Sequence, residues 1–189
     1  MSILRNNKKW ILLLCIYFLM AGTVFAQDAK LTNFAIIRHN DELLFKMNLE
    51  GAFREEMNKA IMSGVSTTFS FYVELYNIKD LWFNSKIADI YLTTSVKYDS
   101  LKKTFTVSRS WKNVEPVVTE SFKEAQELMT RIDGLKIIQV SKLEKNGTYQ
   151  IQVKAEVSKL TLPFYLHYIF PIGYFWDLET DWYIIDFVY

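Results

Sequence analysis

The sequence predicts an α+β fold, predominantly antiparallel β and sandwich-like, with about eight strands and two short helices. Three observations predict it. Segments with period-two alternation of apolar and polar residues recur along the chain. Two other segments place their apolar residues at helical spacing, and turns rich in Asn, Asp and Gly separate the pieces. One-sided alternation suits antiparallel sheets with a wet face rather than a parallel sheet buried on both sides.

The elements follow in chain order. Leu31 to Arg38 is an extended stretch, and Asn40-Asp41 turns it into a strand in which Leu43, Phe45, Met47 and Leu49 alternate with Lys46, Asn48 and Glu50. The two form a hairpin. Over 53–63, Phe53, Met57, Ala60 and Ile61 recur at helical spacing, with Gly64 as the stop. Phe69, Phe71, Val73 and Leu75 then alternate with Thr68, Ser70, Tyr72 and Glu74, and the same pattern runs from Asp89 to Tyr98. A turn at Asp99-Ser100 leads to Phe105 and Val107. The second helix spans 121–132, with Ser121 and Glu124 as a capping box, Phe122, Ala125, Leu128, Met129 and Ile132 on one face, and Gly134 as its terminator. Leu143 to Thr148, centred on Asn146-Gly147, reads as a hairpin turn. Tyr149 to Val157 alternates without a break, and Trp182 to Tyr189 is β-branched and aromatic, a final strand. The order strand–strand–helix–strand thus occurs twice, a candidate internal repeat with halves about 30–84 and 85–159, followed by a C-terminal segment 160–189.

Composition bounds the class. The chain has 189 residues, of which 50% are hydrophobic, 23% charged and 16% aromatic, with only 6 Gly and 3 Pro. That excludes a disordered or collagen-like chain. Charges nearly cancel, 22 Lys+Arg against 21 Asp+Glu, so no basic footprint for nucleic acid is expected.

Residues 1–26 have the layout of a signal peptide. Arg5, Lys8 and Lys9 precede the apolar run Trp10 to Met20, and Val24-Phe25-Ala26 offers a cut before Gln27. The competing reading is a membrane anchor, since the charge-free stretch Trp10 to Gln27 is 18 residues long. Cleavage removes three basic side chains and no acidic one, leaving a net charge of −2, and also removes Cys15, the one cysteine. The mature chain, 27–189, is then a single β-rich domain without a disulfide framework, periplasmic or secreted.

Met62 to Leu75, Trp82, the run Tyr98, Asp99, Ser100, Leu101, and the run Phe105, Thr106, Val107 together resemble the front half of a bacterial envelope family known as domain of unknown function 4390. Ser121 to Ala125, Tyr149 to Val157, Leu162-Pro163, Trp176 to Leu178 and Trp182 resemble its back half. Order and spacing carry the resemblance over nearly all of the mature chain. Departures are Ser66, where members often carry proline, and Tyr76, Lys79 and Asp80, where they tend to be arginine-rich. The resemblance implies an exported bacterial protein, brings no catalytic residues, and hints at a role beside an envelope sensor kinase.

Chemistry-bearing residues are few. His39 sits at a turn tip and His167 in an apolar stretch, neither beside a nucleophile elbow. Asp177, Glu179 and Asp181 could face one way on a strand, but no glycine folds that run around a cation, so it reads as a solvated turn or strand edge. No metal and no cofactor is expected.

Leu160 to Trp176 is the unusual segment, 17 residues without a formal charge. Pro163, Pro171 and Gly173 argue against a membrane span. Two readings stay open: core packing, or an exposed aromatic patch of Phe164, Tyr165, Tyr168, Phe170, Phe175 and Trp176, joined by Trp82 and Phe83. The expected function is non-catalytic binding of an envelope protein or an apolar ligand, with membrane contact only peripheral. An envelope hydrolase or metal-assisted enzyme is the alternative.

Overall fold

A computed structural model describes residues 29–79, 83–112, 115–157 and 178–189. Its first hairpin pairs β1 (Lys30–His39) with β2 (Glu42–Glu50) across a turn in which Asn40 takes a positive φ of 53°. Helix α1 (Glu55–Met62) buries Met57, Ala60 and Ile61. It ends in a Schellman arrangement, Gly64 N–H to Ile61 O at 2.8 Å and Val65 N–H to Ala60 O at 3.1 Å. The chain continues through β3 (Thr67–Ile78), β4 (Ser85–Asp99), β5 (Thr104–Arg109) and the short β6 (Val117–Thr119). Helix α2 (Phe122–Thr130) leads directly into β7 (Arg131–Gln139). A single 3-10 turn (Val140–Lys142) precedes β8 (Thr148–Val157), and β9 (Tyr183–Val188) is last.

The strands form two antiparallel sheets, β1-β2-β7 and β6-β5-β4-β3-β8-β9, and the whole is not a closed barrel. Every second residue of β2, β3 and β8 points into one core: Phe45, Phe69, Phe71, Val73, Leu75, Tyr149, Ile151 and Val153 are fully buried. The sheets meet at the β1–β9 side, where the Phe34 and Tyr183 rings lie 5.7 Å apart. Helix α2 covers the part of β4 and β5 that the smaller sheet does not reach, with Phe122 stacked on Phe105 at 5.2 Å. There the buried Thr94 hydroxyl donates to Met129 O at 3.0 Å, near the end of α2.

Strand–strand–helix–strand does occur twice, as β1-β2-α1-β3 and as β4-β5-α2-β7 with β6 inserted. The pairing differs between the two: β3 joins the first strand of the later hairpin, whereas β7 joins the second strand of the earlier one.

The nine strands among the described residues agree with the expected number of about eight, the short β6 being one that no alternation announces. The structure corrects two expectations. Helix α2 stops at Thr130 rather than at 132, and Arg131 is already extended. Gly134 is not its terminator but lies inside β7 with φ 72°. It supplies the extra residue of a bulge, since Phe45 pairs with Leu135 and Met47 with Ile132. Pairing with β2 overrides the helical spacing, and Ile132 is buried from a strand. The turn at 143–148 does not close a hairpin, because β7 and β8 belong to different sheets.

Candidate binding cleft

Strand β4 is longer than its neighbour. β5 pairs only with residues 94–99, so among the described residues 85–93 have a strand on one side alone, β3. Among the described residues β7 is likewise an outer edge, bonded to β2 alone. The two open edges bound a cleft of about 620 Å³. From β4 it is lined by Ile87, Ala88, Ile90, Tyr91 and Leu92, and from β7 by residues 135–139. Ser110, Trp111 and Lys142 complete it.

The lining order carries structural information. Successive side chains of a strand point to opposite faces, so a wall built from consecutive residues is a strand edge, not a side-chain face. Both walls include neighbouring residues of this kind, and no strand among the described residues pairs with either edge there. Leu92, Leu135, Ile137 and Ile138 are buried, Ile87 and Ile90 half-buried, and Tyr91 exposed. The indole N–H of Trp111 is buried without a partner among the described residues.

Charges stand at the rim. Lys136 is ion-paired with Glu42, and Lys86 with Asp89 at 3.1 Å and Glu74 at 2.6 Å. Those two carboxylates, Glu74 first, raise the Lys86 ammonium above its ordinary range. Lys142 forms no ion pair among the described residues.

The outer face of the large sheet carries a second polar cluster, already engaged with itself. The Tyr72 hydroxyl donates to Glu156 at 2.6 Å, and that bond, helped by burial, pushes its pKa up to about 12. Tyr76 donates to Glu74 at 2.7 Å and is raised by it. Lys154 pairs with Glu179 and sits 5.8 Å from the Trp182 ring centre.

Of the candidate aromatic patch, only Phe83 lies among the described residues. Phe83 is 98% exposed in the connection before β4. Trp82, Phe164, Tyr165, Tyr168, Phe170, Phe175 and Trp176 lie outside the described residues, as does His167. His39 is exposed at the end of β1. Of the acidic run, Glu179 is held by Lys154, Asp181 lines a small pocket with Lys30 and Arg54, and Asp177 is outside the described residues. No group of three His, Cys, Asp or Glu that could hold a metal occurs among the described residues. No helix among them is long and apolar enough to cross a membrane.

Sequence reasoning did not single out the cleft. Its one available signal is a length mismatch: alternation runs from Asp89 to Tyr98, whereas the strand after the Asp99 turn ends at Arg109 and leaves half of the longer strand uncovered.

A family model described as "Domain of unknown function (DUF4390)" matches residues 26–186. No curated protein and no solved structure matches the chain.

Proposed function

The chain belongs to the DUF4390 family, and from that premise we propose that it is a non-catalytic, exported envelope protein that works by binding, with the cleft between β4 and β7 as its site. The observation that carries the reading is the cleft itself, an apolar groove of about 620 Å³ with strand edges for walls. Its polar groups are suited to holding rather than reacting. The Ser110 hydroxyl, the one hydroxyl nucleophile in the lining besides Tyr91, accepts the Thr93 N–H at 2.8 Å. Export is supported by the charged, apolar and small-residue order of residues 1–26.

Titration with 1-anilinonaphthalene-8-sulfonate tests the site. The dye should bind saturably, and Ile87→Glu or Ile90→Glu should weaken it by about tenfold or more. Phe83→Ala, on an exposed side chain that is not part of the lining, should leave it unchanged. Equal dye affinity in all four proteins would sink the reading.

A further inference from the structure

We infer that the cleft takes an extended segment of another protein, which adds itself as a strand to the edge of β4 that no strand among the described residues covers. The inference deepens the binding reading above and rests on it.

The edge is terminated in a defined way. Where β5 ends, Ser110 closes the ladder: its N–H donates to Thr93 O at 3.0 Å and its Oγ accepts the Thr93 N–H at 2.8 Å. Along an antiparallel strand, every second residue directs both backbone groups to the same side. Tyr91 and Asp89 therefore aim their N–H and C=O the same way as Thr93, toward the cleft. No strand among the described residues takes them. The register ends at Ile87, the extra residue between the pairs Leu75–Ala88 and Tyr76–Lys86. Four backbone groups are thus presented in strand geometry beside an apolar groove. A compact apolar ligand leaves all four to water, whereas an extended backbone pairs them.

Side chains set what the segment carries. Residues opposite one another in a pair share a face. A residue opposite Tyr91 or Asp89 turns its N–H toward β4 and its side chain outward. The residues between them turn inward onto Ile90, Leu92, Leu135 and Ile137, and are apolar. The rim adds charge complementarity. The lining itself carries two charges, Lys136, which is held by Glu42, and Lys142, which has no ion pair among the described residues and stays positive. The partner segment alternates apolar and polar residues and carries an acidic residue at its flank.

Two fluorescein-labelled peptides decide it, Glu-Val-Thr-Val-Thr-Val-Glu with blocked ends and its twin N-methylated at both threonines. The valines are the same, but the twin cannot donate to β4. The parent should bind, slow hydrogen exchange at the Tyr91 and Asp89 amides, and bind about tenfold or more tightly than the twin. Equal affinities, or binding by neither, would overturn strand addition. The dye titration reads the cleft independently, so dye binding with no preference between peptides removes the strand and keeps the site. Loss of both removes the site as well.

Discussion

The Tyr149 ring lies where a side chain on Gly147 would have to go. A Cβ built at Gly147 would stand 2.8 Å from Tyr149 Cε2, 2.9 Å from its hydroxyl oxygen and 2.9 Å from Glu144 O. The ring is fully buried, stacks on Phe187 at 5.6 Å and accepts the Glu144 N–H at 2.7 Å, so it has no room to withdraw. Gly147→Ala should cost about 1–3 kcal/mol in urea unfolding. An unchanged midpoint would mean that the turn and ring move apart freely.

Thr94 is the clearest buried polar contact between a helix end and a sheet. Thr94→Val removes its bond to Met129 O in a site with no exposure, and should cost about 1–3 kcal/mol. Thr94→Ser keeps the hydroxyl and should recover part of it. Similar losses in both variants would show that packing of the methyl, not the bond, matters.

The start of α2 is held by a relay. Ser121 Oγ accepts the Glu124 N–H at 3.3 Å, while Thr119 Oγ1 accepts the Ser121 N–H at 3.1 Å and donates to the Glu124 carboxylate. Ser121→Ala should lower stability by about 0.5–2 kcal/mol by thermal melting. A melt unaffected by this change would place the cap in the relay's threonine instead.

Alkaline pH should report the Tyr72–Glu156 bond. The folded-state pKa of Tyr72 is raised to about 12, above its ordinary value, chiefly by the hydrogen bond to Glu156. A raised pKa means that the fold holds the proton more tightly than the open chain. Its contribution is therefore complete below about pH 10 and is lost as the pH rises through about 12. An ultraviolet phenolate titration should show a late component from Tyr72 and Tyr76, both raised, and Glu156→Gln should bring the Tyr72 part earlier. No late component in the parent protein would refute the assignment.

The export proposal is checked by mass. The purified protein from the cell envelope should begin at Gln27. An intact chain still bearing Arg5 to Ala26 in the membrane fraction would make it an anchored protein.

The strands were legible where one face is buried. β2, β3, β4 and β8 alternate because their inner side chains enter one core, and that rule acts locally. The junction at 130–134 was not legible. Leu128, Met129 and Ile132 fit a helix as spaced, and only β2, distant in sequence, pulls Arg131 and Ile132 into a strand. The turn at Asn146 was read correctly as a turn, for Asn146 has φ 61°, but its partner strands depend on sheet order, which spacing does not encode. The cleft is the same kind of property. It is made by what does not cover β4 and β7, and alternation records which face is buried, not which edge is paired.

Glu42 and Lys136 stand 94 residues apart in the chain and share an ion pair, because β2 and β7 are neighbours. A chain synthesised from its N-terminus completes the first hairpin long before the strand that covers it exists. During that interval the backbone of β2 is an open template beside Phe45 and Met47, able to pair with any strand nearby. Contacts that span such distances also close slowly, since the loop entropy must be met before they form. Refolding should therefore be slow, and its yield should fall as concentration rises. The vulnerable element during biogenesis is β2, a strand whose two edges are both paired in the finished molecule.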